Sequence, residues 1–289
     1  MNIPKRKFPP GSEWLYLKIY GGPQSLEEWM TGTLRVFLPV WRASGLISSF
    51  HYIHYLDPDY HLRLRLLLTD PLNSGILLNE IQRSSTKLLD DDLLWKMETC
   101  TYEPEYERYG MIRMSLVEAW FEMDSVYWLE EIKNHSDAGD SDIWKSALVS
   151  VDVFLDDFGA TIDDKRHTVN ELKKSAFAFV RLSKVMRVQL DEKYRTLSKE
   201  LNFLMAAPGR TANLDLRSVD SEPIISALWE SFADRESLWG SDLAANLIHM
   251  SLNRAFRTRH RLQELVIYDF LSRYYESVIA RGKNVKREV

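Results

Sequence analysis

The chain has 289 residues, 45% of them hydrophobic, with 37 Lys and Arg against 42 Asp and Glu for a net charge of -5. That composition supports a globular core rather than disorder, and the mild acidity excludes an overall field that would draw nucleic acid or an anionic membrane. The single cysteine, Cys100, excludes an internal disulfide and any multi-cysteine metal site.

The opening MNIPKRKFPPGSEW is basic but carries no apolar core, so it does not read as a signal peptide. No run approaches the roughly 20 apolar residues that cross a bilayer. The expected location is the cytoplasm. Residues 14–20, WLYLKIY, alternate as a strand, with Leu15, Leu17 and Ile19 on one face and Trp14, Tyr16, Lys18 and Tyr20 on the other. GGPQS breaks that strand, and Ser25 is placed to cap a helix running to about residue 43. FHYIHYL, 50–56, predicts a second strand, Asp57-Pro58-Asp59 a tight turn, and 60–68 the returning strand of a hairpin. Pro71 and Asn73 open a helix to about 88, and LWKMETCTY, 94–102, predicts a fourth strand. The order β-α-β-β-α-β is the ferredoxin-like pattern.

Beyond Gly110 the spacing turns helical. Helices are predicted over 112–135, 141–158, 166–206, 222–236 and 239–281, with AAPGRTAN, 206–213, as the clearest loop. The expected fold is α+β, a single domain over 1–289. Its N-terminal ferredoxin-like sheet region (1–110) is followed by a mainly helical half (111–289).

Three clusters stand out. In the third strand, His61, Arg63 and Arg65 share one face while Leu62, Leu64 and Leu66 share the other. Stacked like charges are unfavourable unless an anion offsets them, and a guanidinium fork suits a carboxylate. The plain alternative is a solvated sheet face. In TYEPEYERYG, 101–110, Arg108 stands at the mouth of the sheet, or else joins ordinary surface ion pairs. In NLIHMSLNRAF, Asn246, His249 and Asn253 fall on one helix face, with Leu247, Met250 and Leu265 serving the buried side. A lone helical histidine is commonly structural. The basic run RAFRTRHR, 254–261, reads as a solvated face of a long helix, Arg257 included. The seven histidines lack metal-ligand spacing, and His51 and His54 lie on opposite strand faces. Nucleotide loops and the common hydrolase and metalloprotease motifs are missing.

HYIHYLDPDYHLRLRLLL, TYEPEYERYG followed by FEMDS, LIHMSLNRAF and the opening PPGSEWLYLKIYGG together resemble the C-terminal domain of lantibiotic dehydratases, also described as the thiopeptide-type bacteriocin biosynthesis domain. The resemblance covers nearly the whole chain. It implies a stand-alone, split form of the domain that eliminates glutamate from glutamylated Ser or Thr of a precursor peptide, leaving dehydroalanine or dehydrobutyrine. It further implies a separate glutamyl-tRNA-dependent glutamylation subunit as partner, with no direct nucleic-acid contact and no membrane span, and it is compatible with a homodimer. Arg63, Arg65, Arg108 and His249 are the catalytic set so implied, with His61, His54, Tyr109 and Asn253 as substrate-binding residues. Neither metal nor organic cofactor is expected. His61, Arg63 and Arg65 are further expected to face one cleft with Arg108 and His249. Two positions depart from the family pattern, which often has arginine at His54 and usually a second glycine at Met111. Two rival readings follow: an enzyme of the thiopeptide type that joins two dehydroalanines by formal [4+2] cycloaddition, or a non-catalytic peptide-binding subunit using an edge strand.

Overall fold

The alternation of WLYLKIY forms β1 (Trp14–Gly21) in the computed structural model, which describes residues 5–135, 140–205 and 211–285. Gly22 caps α1 (Pro23–Trp29), whose first position takes Pro23. Proline suits that position because its fixed φ is already helical and its missing N–H would have gone unused. Ser25 therefore lies inside the first turn and is not the cap. A π-helical turn, Met30–Leu34, leads into α2 (Arg35–Ala43). The hairpin of β2 (Ile47–Leu56) and β3 (Tyr60–Leu68) follows, then α3 (Ser74–Asp90) and β4 (Leu94–Cys100).

The four strands order as β2-β3-β1-β4 with every neighbouring pair antiparallel, so the ferredoxin-like expectation holds. Leu62, Leu64 and Leu66 stand opposite Ile19, Leu17 and Leu15 on β1, and opposite His54, Tyr52 and Phe50 on β2. All three leucines are fully buried. The helices α1 to α3 supply Leu26, Trp29, Trp41, Leu77 and Ile81 to the buried core. The Trp29 indole N–H donates to Ser85 Oγ at 2.9 Å, tying α1 to α3.

The fourth strand ends at Cys100. Tyr102 pairs instead with Phe8 in an isolated bridge, each N–H donating to the other's carbonyl at 2.9 Å. Then α4 (Tyr106–Tyr109) forms a single turn, and α5 (Met114–Asn134) runs beside β2, where the Tyr52 N–H donates to Ser125 Oγ at 3.3 Å. The chain divides into two compact units, Met1–Asn134 and His135–Val289, so α5 groups with the sheet.

The second unit contains α6 (Asp140–Asp157), α7 (Ile162–Val180), α8 (Lys184–Leu204), α9 (Ala212–Glu230), α10 (Arg235–Trp239), α11 (Leu243–Ala255) and α12 (His260–Val285). Two predicted long helices are each broken. Arg181 takes a left-handed φ of 51° and Ser183 caps α8, which splits 166–206. Arg259, with φ 53°, splits 239–281. Side chains with φ in this range cannot continue a right-handed helix. The run RAFRTRHR is consequently no helix face: Arg254 is fully buried and Arg257 lies in the break. The segment 222–236 begins much earlier, at a Thr211 cap that accepts from the Leu214 N–H at 3.2 Å. Of the predicted loop 206–213, residues 206–210 lie outside the described residues.

Candidate active site: a buried basic face on the sheet

The face of β3 opposite its leucines carries His61, Arg63 and Arg65. Register extends each into a row across the sheet. Arg65 stands between His51 and Tyr16, with Cys100 beyond; Arg63 stands between Ile53 and Lys18, with Glu98 beyond; His61 stands between Tyr55 and Tyr20, with Lys96 beyond. On β3 itself this face is largely withdrawn from solvent, although Tyr55 and Lys96 at its edges are exposed. His61 is fully buried, Arg65 is 8% exposed, and Arg63 is half-buried.

Arg65 is held by rings. Its guanidinium carbon lies 4.8 Å from the Tyr16 ring centre and 5.2 Å from that of Tyr102, inside the range of cation–π attraction. Among the described residues it makes no ion pair or hydrogen bond, and its Nε is buried without an acceptor. A buried cation so placed is unfavourable until an anion reaches it. Burial raises the Tyr16 hydroxyl above its ordinary pKa, against the pull of Arg65 and Arg63.

Arg63 lies over the Tyr55 ring at 3.3 Å and donates from Nε to His61 Nε2 at 3.2 Å. His61 Nδ1 is 2.8 Å from the Asp59 carbonyl, which can only accept, so Nδ1 carries the proton and Nε2 is the acceptor. Burial, aided by Arg63 and Lys18, lowers the His61 pKa; the Asp59 carbonyl and Glu98 act in the opposite direction. At the same end of the face, Tyr20 donates to Glu98 at 2.9 Å and its pKa is pushed up to about 12, by burial first and by Glu98 second.

The other expected residues fall differently. His54 lies on the leucine face, 2% exposed, with Nδ1 2.8 Å from the Tyr60 hydroxyl. The side-chain period of two sends it away from Arg65. Tyr109 is buried and its ring meets Phe121 at 5.6 Å, which in turn meets His51 at 5.5 Å. Arg108 is exposed on α4 and pairs with Glu105 at 3.2 Å. His249 and Asn253 belong to α11 in the second unit. There His249 Nδ1 is 2.9 Å from Glu264 Oε1, and Arg261 donates to Glu264 Oε2 at 3.3 Å. The Glu264 carboxylate, 2% exposed, accepts the Nδ1 proton, which leaves Nε2 as the ring's other nitrogen for an incoming partner. His260 nearby has its pKa lowered by burial.

Sequence reasoning missed Tyr16, His51, Tyr102 and Glu118 around Arg65, and Glu264 beside His249. Tyr16 and His51 follow once strand register is known. Glu264 meets His249 only across the break before α12, which left no local signal. An apolar groove of about 380 Å³ between α2 and α5, lined by Leu38, Pro39, Phe50, Val126 and Leu129, involves none of the basic residues of β3. Among the described residues, no group of three or more His, Cys, Asp or Glu side chains is placed to hold a metal ion. Among them, too, no helix is long and apolar enough to cross a membrane.

A ferredoxin-like sheet with one buried and one half-buried guanidinium on one face, joined in sequence to a helical unit with a histidine–carboxylate pair, defines an α+β protein. The chain belongs to the lantibiotic biosynthesis dehydratase C-terminal family, whose model matches residues 14–275. It is 29% identical over 126 residues to nisin biosynthesis protein NisB of Lactococcus lactis subsp. lactis, covering 43% of this chain and 12% of that protein. Its fold is similar to that of the tRNA-dependent lantibiotic dehydratase MibB from Microbispora sp. 107891, with a TM-score of 0.71 at 21% identity, over 98% of this chain and 29% of that one. It is also similar to the pyridine synthase TbtD from thiomuracin biosynthesis, with a TM-score of 0.69 at 13% identity, over 93% of this chain and 99% of that one. The chain thus spans well under half the length of either NisB or MibB.

Proposed function

We propose that this chain eliminates glutamate from glutamylated Ser or Thr residues of a ribosomally made precursor peptide, as a lyase that needs no metal or organic cofactor. A glutamyl-tRNA-dependent glutamylation component would supply the substrate. The observation that carries the reading is Arg65, a buried guanidinium with no described anionic partner. Elimination removes the Cα proton of the modified residue, forms the Cα–Cβ double bond, and breaks the Cβ–O bond so that glutamate leaves as a carboxylate. Arg65 and Arg63 are proposed to receive that carboxylate. A guanidinium already fixed by ring contacts needs little reorganisation as the charge develops, which is where preorganised electrostatics contributes most. Arg108 is proposed as a further cation for the same substrate, and His61, Tyr109 and Asn253 as its binding residues. His249, with its tautomer fixed by Glu264, is proposed to move the proton. His54 has no part in the proposal, because it faces the leucine core.

Variants test this. Arg65→Ala and His249→Ala are each expected to stay folded and to accumulate glutamylated peptide, with a loss of about 10²–10³ in elimination rate. Arg65→Lys recovers little, because an ammonium does not reproduce the fork. Near wild-type elimination by both alanine variants contradicts the proposal. A second reading, pyridine formation by [4+2] cycloaddition, draws on the full-length match to the pyridine synthase fold. That chemistry releases no glutamate, and those two alanine variants would leave no glutamylated intermediate.

A further inference from the structure

Arg65 has a carboxylate within electrostatic reach that it does not engage. Glu118, partly buried on α5, accepts a hydrogen bond from the Tyr102 hydroxyl at 2.5 Å. Tyr102 is 4% exposed, and its ring is one of the two that flank the Arg65 guanidinium. That ring is packed among other rings. Its backbone bridges to Phe8, whose ring stacks on it at 6.0 Å, and Trp14 meets it edge-on at 4.9 Å. Burial raises the Glu118 pKa, while the Tyr102 hydrogen bond and the Arg65 charge pull it down. Glu118 is therefore an internal anion whose field reaches Arg65, and the Tyr102 hydroxyl engages it.

We propose that Tyr102 and Glu118 are positioning residues that keep the Arg65 guanidinium open to a carboxylate of the substrate or leaving group. The phenol engages Glu118 and the ring face holds the guanidinium, so the internal acid does not close on the internal cation. A protein anion within reach of an arginine competes with any ligand carboxylate for the same fork. Holding that anion on a neutral donor removes the competition while its field still lowers the cost of burying Arg65. The inference rests on the reading that Arg65 receives a carboxylate.

The test uses L-glutamate as the probe, with binding measured by calorimetry and elimination measured on a glutamylated precursor. Tyr102→Phe keeps the ring but frees Glu118 to pair with Arg65, and is expected to weaken glutamate binding about tenfold. Glu118→Gln, which still accepts from Tyr102, is expected to bind glutamate at wild-type strength or tighter. The double variant Tyr102→Phe with Glu118→Gln is the deciding arm. It is expected to recover wild-type binding and elimination, because no internal carboxylate remains to compete. A double variant that binds as weakly as Tyr102→Phe alone overturns the inference, since the loss then comes from packing. If the wild-type chain neither binds L-glutamate nor eliminates it, the elimination reading itself fails, and this inference with it.

Discussion

Arg65 is placed by aromatic rings rather than by an acid, and that distinguishes it from the exposed ion pairs elsewhere in the unit. Arg108 with Glu105, or Arg6 with Glu107, are solvent-facing pairs of the kind that contribute little to stability. Arg65 has instead traded hydration for two ring faces. His61 supports the same face two pleat repeats away, and only its neutral form offers an acceptor to Arg63. Its pKa is lowered in the folded chain. A histidine with a depressed pKa binds fewer protons folded than unfolded, so it contributes stability above the unfolded value of about 6.5. That contribution is lost as pH falls from there towards the folded pKa. His61→Gln keeps an acceptor for Arg63 but does not titrate. Thermal unfolding of that variant is expected to show a smaller drop in Tm between pH 7 and pH 5 than the wild type. The remaining slope includes His260, whose pKa is also lowered. An unchanged slope in His61→Gln contradicts the buried, neutral assignment.

β3 serves two faces at once, so its two sets of residues should respond differently to substitution. Leu64 is fully buried between Leu17 and Tyr52. Leu64→Ala is expected to cost about 2–5 kcal/mol, from lost apolar transfer and the cavity left behind, read as a lower denaturant midpoint. Val40→Ala on the exposed side of α2 is expected to change stability by less than about 0.5 kcal/mol. A Leu64→Ala protein as stable as wild type would contradict the leucine-face assignment. At this scale much was legible. The period of two in YHLRLRLLL separated leucines from cations correctly, and the four strands were found within a few residues. What the sequence did not convey was the depth of burial on the basic face. Alternation reports which side a residue takes, and a polar side reads as solvent by default. The helix breaks at Arg181 and Arg259 were likewise silent, because arginine carries no turn signature and the left-handed φ is set by the packing around it. His54 was expected beside the arginines from family pattern, yet strand parity had already put it an odd number of residues out of phase with His51.

On the scale of the whole molecule, the proposal assigns the carboxylate to residues of the sheet unit and the proton to a residue of the helical unit. The first holds the buried Arg65 and the half-buried Arg63, the second a histidine fixed by a buried carboxylate. The chain belongs to the lantibiotic biosynthesis dehydratase C-terminal family. The fold alone is shared with a pyridine synthase, so it is the chemistry of Arg65 that separates the readings. The central claim is elimination, and its most direct measurement is the mass of a precursor peptide glutamylated at Ser or Thr before and after incubation with the purified chain. The account predicts loss of one glutamic acid per modified residue, leaving dehydroalanine or dehydrobutyrine, with free glutamate appearing in equal amount. A peptide that keeps its glutamate, while a precursor already bearing two dehydroalanines is converted to a ring with release of its leader, would contradict it.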